Sequence, residues 1–304
     1  MTSEDFAHGL MFHHFHQDED EEGQGSISGE VFEEIILRYQ GRILSAEDWI
    51  ERSKAGTLKA DDVCVTFDDA LSCQYRVAAP VLEKLGITAF WFVYTSPYEG
   101  KKELLEIFRE FRNRAFKTMA QFYLAFEEAV DAGPFHLEKQ QKIGGYDHEN
   151  WSSYPFYTEG DTRFRFIRDE ILGPEKYDEV MMAVIDSSDF TIERLAEGLW
   201  IAPGDLQHLA STGHEIGLHT HTHPTTLAKL PEEQQREEFE KNYAAITSIT
   251  GRAPQSVSYP CNSYNENTIQ IVRDLGIELG FRANMRLTER SHLEYPREDH
   301  ANLL

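Results

Sequence analysis

The apolar positions of this chain alternate between short unbroken runs and stripes at helical spacing. Gly9 to His16 is a compact apolar and aromatic run and predicts a strand, and the acidic cluster at residues 18–22 predicts a solvated loop after it. Val31, Ile35, Ile36 and Tyr39 recur at helical spacing behind Ser26 and Ser28, which predicts a capped helix; Ser45 to Ile50 predicts another short one. Asp62 to Phe67 is β-branched and Ile87 to Tyr94 is apolar almost throughout, as strands covered on both faces are. Between them Val77, Ala78, Val81, Leu82 and Leu85 form a helical stripe that ends at Gly86, where a left-handed cap belongs. Strand, helix and strand in this order predict a βαβ unit, hence a parallel sheet or barrel.

From about residue 98 the pattern loses its strands. Leu104, Ile107, Phe108, Phe111, Ala115, Met119, Phe122 and Phe126 lie on one face of a single long helix, with more helix around Arg165 to Leu172 and Tyr177 to Val184. We read about 98–195 as a helical insertion. The βα texture then resumes with a helix at Asp205 to Leu209, a strand at His214 to Leu218 and a helix from Pro231 to Thr250 with Gly251 past its end. A strand at Gln255 to Pro260, a helix at Thr268 to Leu275 closed by Gly276 and a strand at Leu279 to Ala283 complete the series.

Composition narrows the partners. The 304 residues hold 53 Asp and Glu against 29 Lys and Arg, a formal net charge of −24. Such a chain lacks the basic footprint of a nucleic-acid binder and is ill matched to an anionic membrane surface. Three cysteines, Cys64, Cys73 and Cys261, form no close pair, which argues against a disulfide scaffold and for a reducing compartment. The acidic start shows no secretory signal and no run nears the roughly 18 apolar residues of a membrane span, so a soluble, cytoplasmic protein is expected. Lys101, Lys102, Arg109, Arg112, Arg114 and Lys117 read as a solvated helix face, with a homo-oligomer contact through the insertion as the second reading. Tyr146, Trp151, Tyr154, Phe156 and Tyr157 read first as internal packing of the insertion and second as a surface for sugar faces.

Two constellations can carry chemistry. Asp68 and Asp69 follow the strand that ends at Phe67, at the strand end where α/β folds place their sites. Neighbouring carboxylates repel unless a cation offsets them, and a metal ion is the obvious one; a helix N-cap with a first-turn acid is the plain alternative. His219, His221 and His223 follow the strand that ends at Leu218. Extended backbone would align all three imidazoles, whereas a helical turn would bring together only His219 and His223. Asp with two His is a donor set for a divalent transition ion such as zinc, and three protein ligands leave a position for water, as catalytic sites do.

Thr66-Phe67-Asp68-Asp69-Ala70 resembles the Thr-Phe-Asp-Asp-Gly motif of the polysaccharide deacetylases, the NodB homology domain of carbohydrate esterase family four. His219-Thr220-His221-Thr222-His223-Pro224 resembles that family's His-Ser/Thr-x-x-His-Pro motif, and Tyr259-Pro260-Cys261-Asn262 its Tyr-Pro-x-Gly motif. All stand in family order, each after a strand. The likeness covers roughly 60–100 and 196–284, and Leu10 to His13 is similar to the Tyr-His strand that opens some members.

The resemblance implies a distorted parallel (β/α) barrel of about seven strands, with 1–304 as a single deacetylase domain carrying the helical insertion. It implies Asp69, His219 and His223 as ligands of a divalent metal, zinc first and cobalt or nickel next, with Asp68 as general base. His221 falls on an unassigned position and is structural or supporting, with a substitute ligand as the remaining reading. The third motif, Tyr259, Pro260 and Cys261, implies an oxyanion donor at the Cys261 backbone N–H. No late Leu-x-His motif, the family's usual seat of the general acid, is found; His13 takes that role first and His300 second. Arg297, in Pro296-Arg297-Glu298-Asp299, resembles the Pro-Arg-x-Asp ending of some members, which implies that it orients Asp68. Ala70 and Asn262 replace glycines of the family; Ala70 is costly only if its φ is positive, a conformation Asn tolerates better. The implied activity is removal of an N-acetyl group from an amino sugar of a polysaccharide, glycolipid or sugar precursor, in cell-surface polysaccharide synthesis. A metal-dependent amidohydrolase acting on a non-sugar amide and a catalytically silent sugar-binding relative are the rivals.

Overall fold

Short strands apolar on both faces need cover on both faces, and the structure, a computed structural model, supplies it with helices around a parallel sheet. It describes residues 6–17, 23–148, 158–286 and 291–304; the loop expected at 18–22 and the aromatic residues Trp151, Tyr154, Phe156 and Tyr157 lie outside these. The strands are β1 (His8–Phe12), β2 (Val63–Asp68), β3 (Phe90–Val93), β4 (Glu215–Leu218), β5 (Ser256–Ser258), β6 (Leu279–Phe281) and β7 (Arg297–Asp299). They form one sheet in the order β6-β5-β4-β3-β2-β1-β7, parallel at every pairing. Tyr295 bridges Phe281 at one edge and Arg297 pairs with Gly9 at the other, so the last segment nearly closes a distorted (β/α) barrel. β7 has no counterpart among the predicted strands, because its three residues are all charged and leave no apolar run to read.

The helices are α1 (Gly29–Arg38), α2 (Ala46–Ala55), α3 (Ala79–Leu85), α4 (Leu104–Ala115), α5 (Met119–Ala132), α6 (His136–Lys142), α7 (Glu159–Phe166), α8 (Gly173–Asp186), α9 (Ile192–Ala196), α10 (Pro203–Ser211), α11 (Glu232–Thr250) and α12 (Glu266–Asp274). The predicted caps are present: Ser28 and Ser45 accept the backbone N–H groups of Val31 and Asp48, and Gly86 and Gly251 close their helices at φ 66° and 71°.

The chain divides into two compact units, Met1–Lys101 with Gly198–Leu304, and Lys102–Glu197. The first holds the whole sheet. In the second, the single long helix expected over 104–126 is two: Phe116 is extended and Thr118 caps α5 by accepting the Gln121 N–H. The apolar stripe runs through the break because both helices serve one aromatic cluster. Phe122 lies 5.6 Å from Phe116 and 5.2 Å from Phe164 between ring centroids, and Phe126 lies 5.0 Å from Phe164. Part of the basic patch is spent inside this unit, since Lys102 pairs with Glu193 and Arg112 and Arg114 lie over the rings of Phe122 and Phe190. All three cysteines are free thiols. Among the described residues no helix is long and apolar enough to cross a membrane.

Candidate active site

Four strands deliver the candidate residues from their C-terminal ends: His13 follows β1, Asp68 ends β2 with Asp69 next, His219 follows β4 and Tyr259 follows β5. The loops after β2, β4 and β5 are under strain. Among the described residues, the non-glycine positions with positive φ are Asp69, Ala70, Thr220, His223, Cys261 and Asn262, and all lie in the three motif loops. Left-handed backbone costs an L-residue about 1–2 kcal/mol and concentrates where function needs a fixed direction. Ala70 at φ 54° therefore carries the cost that its replacement of glycine raised as a question.

Asp68 is locked. Arg297, fully buried inside the barrel, donates Nη1 to Oδ1 at 2.6 Å and Nη2 to Oδ2 at 2.7 Å, and Ser258 Oγ donates to Oδ2 at 3.1 Å. Arg297 is itself fixed, since its Nε donates to the Arg282 carbonyl at 3.1 Å and its Nη2 to Ser258 Oγ at 2.7 Å. Gly9 makes room for it: a Cβ there would stand 3.0 Å from Arg297 Cγ. Burial pushes the Asp68 carboxyl up, but the guanidinium and then His219 outweigh it and hold it at about 2.

Asp69 is the opposite case. Its Oδ1 is buried and receives no hydrogen bond, yet His219 Nε2 lies 3.4 Å away and His223 Nε2 3.2 Å away. His219 donates its Nδ1–H to the Ser258 carbonyl at 2.8 Å, which in the neutral ring leaves a lone pair on Nε2 facing Asp69. Burial raises the Asp69 carboxyl; with a proton on each facing nitrogen the two imidazoles outweigh burial and hold it well below the ordinary value, and with their lone pairs turned to it a cation is what would balance its charge. One ligand atom from each of Asp69, His219 and His223 lies within 4.8 Å of the others. Ligands about 2.1 Å from a tetrahedral ion stand about 3.4 Å apart, so spacing, donor set and the orphaned oxygen all fit a divalent cation.

The remaining candidates divide. His13 Nε2 is 4.0 Å from Asp68 Oδ2 at the open side of the site. His221 is turned away: its Nδ1 is 3.0 Å from Thr95 Oγ1 and its Nε2 3.4 Å from Glu99, because the left-handed turn at Thr220 breaks the extended alignment. His300 stacks on Phe12 and sits 3.0 Å from the Gly25 carbonyl, apart from the Asp68 cluster. Tyr259 is buried with its hydroxyl donating to the Leu293 carbonyl at 3.0 Å, and Cys261 follows Pro260 in a tight turn at φ 50°. Tyr94 packs 5.3 Å from the His223 ring and accepts the Trp200 indole N–H. Sequence reasoning missed Gln74, which donates to the carbonyls of both His13 and Asp68 from the helical turn after the first motif. It also missed Ser258; its place on a strand end beside the third motif was the available signal.

A family profile described as polysaccharide deacetylase matches residues 178–280, enclosing the second and third motifs. Over this third of its length the chain is similar to the polysaccharide deacetylases. A peptidoglycan-N-acetylglucosamine deacetylase of Bacillus cereus is 28% identical over 97 residues, 32% of this chain; the match spans about a third of that curated relative, 34% of its length. Among solved structures, the Streptococcus pyogenes deacetylase PplD in complex with acetate aligns with a TM-score of 0.58 at 16% identity, covering 96% of this chain and 91% of that one. IcaB from Ammonifex degensii aligns at 0.53 and 15% identity, covering 96% and 91%. The BpsB deacetylase domain from Bordetella bronchiseptica aligns at 0.52 and 15%, covering 97% and 96%. At these identities the alignments show that this chain shares the fold of these three proteins.

Proposed function

We propose that this protein is a metal-dependent N-deacetylase that hydrolyses the acetamide of an N-acetylated amino sugar in a surface polysaccharide or its precursors. The observation that carries the reading is the buried, donorless Asp69 Oδ1 between two imidazole nitrogens, one residue from an Asp held ionised by a buried Arg. Asp69, His219 and His223 would hold a divalent ion, zinc first, which when bound lowers the pKa of a water and polarises the amide carbonyl. Asp68, ionised throughout the neutral range by Arg297, accepts the proton released as water attacks. The Cys261 backbone N–H gives the developing oxyanion a fixed donor. His13 delivers a proton from Nε2 to the departing nitrogen, so that acetate and a protonated amine leave together. The name of the Bacillus cereus relative supports an N-acetylglucosamine polymer as the first substrate to try.

Metal-stripped protein should release no acetate from N-acetylglucosamine oligomers and should recover activity with zinc or cobalt. Release from ureides or cyclic imides and not from sugars would transfer the reading to a non-sugar amidohydrolase. Cobalt binding with no hydrolysis of any sugar would make the chain a silent relative.

A further inference from the structure

On α11, Glu238 and Asn242 stand four residues apart and share one helix face. Both reach the loop after β4. Glu238 Oε2 accepts the backbone N–H of His221 at 2.9 Å and of Thr222 at 2.7 Å, while Oε1 accepts the Thr222 hydroxyl at 2.7 Å. Asn242, wholly buried, accepts the His219 N–H on Oδ1 at 2.9 Å and donates from Nδ2 to the Val93 carbonyl at 2.8 Å and to Thr95 Oγ1 at 3.1 Å. Thr95 closes the ring. Its hydroxyl lies 3.0 Å from His221 Nδ1, and the backbone N–H groups of Thr95 and Ser96 donate to the His221 carbonyl at 3.1 and 2.8 Å.

These bonds fall on residues 219, 221 and 222, between and beside the two imidazoles that face Asp69. The same stretch holds Thr220 at φ 64° and His223 at φ 54°. Strained backbone of this kind persists only where its surroundings over-determine it. A carboxylate that receives two backbone N–H groups and a hydroxyl is a strong fixed point, and a glutamine there offers only one acceptor oxygen.

We propose that Glu238 and Asn242 are positioning residues of the candidate metal centre: α11 clamps the 219–223 loop so that His219 Nε2 and His223 Nε2 are held against Asp69. The proposal rests on the reading of Asp69, His219 and His223 as metal ligands. It also gives His221 a task, since both its ring and its backbone belong to the clamp.

Cobalt titration followed by visible absorbance tests it, with the melting temperature and circular dichroism of the apo-protein measured on the same samples. E238A and N242A should weaken cobalt affinity by about 10- to 100-fold, the range for groups that orient metal ligands, while the apo-protein keeps its circular dichroism. E238Q, which keeps one acceptor oxygen for the loop, should lose less than E238A. E240A, exposed on the same helix, should bind as wild type does. Where an alanine variant fails to fold, cobalt affinity of E238Q below that of wild type carries the test. Cobalt affinity within twofold of wild type in the folded Glu238 and Asn242 variants overturns the clamp, provided D69A and H219A abolish binding. If D69A and H219A bind cobalt normally, the ligand reading itself is wrong.

Discussion

Two carboxylates at opposite ends of the barrel, Asp68 buried and Glu215 partly so, meet opposite fates. At the mouth, Asp68 faces the Arg297 guanidinium and is held down at about 2. At the foot, Glu215 opens β4 and accepts the Gln255 N–H at 2.7 Å and the Ser256 hydroxyl at 3.2 Å, both neutral donors. Burial there outweighs the hydrogen bonds and pushes its carboxyl up to about 7. Asp68 is the more deeply buried of the two and still ionises more readily, because its direct hydrogen-bond partner is a cation. A parallel barrel brings the C-terminal ends of its strands together at its mouth, and this one uses them to gather Asp68, Asp69, His13 and His219, with the Arg297 side chain reaching Asp68 from the start of β7.

Removing the cation should break the contrast most. Arg297→Met leaves Asp68 as an uncompensated buried charge, and about 3–5 kcal/mol of stability should be lost, read as a shift in the urea midpoint at pH 7, with acetate release falling in the fraction that remains folded. An unchanged midpoint would mean that the ion pair does not hold the mouth.

At the foot the expected effect is a pH dependence. Folded Glu215 binds its proton more tightly than the unfolded chain does, so its contribution is fully present below about pH 4.5 and is lost as pH rises through about 7. At about 1.4 kcal/mol per pH unit, the loss is worth about 3 kcal/mol for a shift from 4.5 to about 7. Glu215→Gln should flatten the decline of stability between pH 5 and pH 8, measured by denaturant titration at each pH. A decline equal to wild type would place its source elsewhere.

The smallest change sharpens the picture of a strained mouth. Ala70→Gly relieves a left-handed alanine at φ 54° and should stabilise the protein by up to about 1 kcal/mol, after the entropy that glycine adds to the unfolded chain is subtracted. A lower melting temperature would show that the methyl group packs more usefully than its backbone strains.

The parts of the site that lie close together in sequence were legible there. Asp68 and Asp69 are adjacent, His219 and His223 share one loop, and each follows an apolar run whose strand end could be read. The insertion was legible as helix but not as two helices, because Phe116 continues the apolar stripe while its backbone leaves the helical region. His221 was open between aligned and averted; the sign of φ at Thr220 decides it, and no pattern in the sequence reports that sign. Glu238 stands in the acid-rich first half of the Pro231 to Thr250 helix, where periodicity does not tell it from its exposed neighbours, yet it turns into the loop after β4.

What the sequence determined by itself is local: the strands, the caps, the order of the motifs and the donor set for a cation. Tertiary structure decided which distant residues meet. Ser258 reaches Asp68 from β5 across 190 positions, and Arg297 reaches it across 229 from a last strand of three charged residues whose pairing with β1 depends on barrel closure. Hydrophobic periodicity reports which face of an element is buried. It does not report the partner waiting there, and the partner's charge is what sets apart the two carboxylates, Asp68 and Glu215, in one barrel.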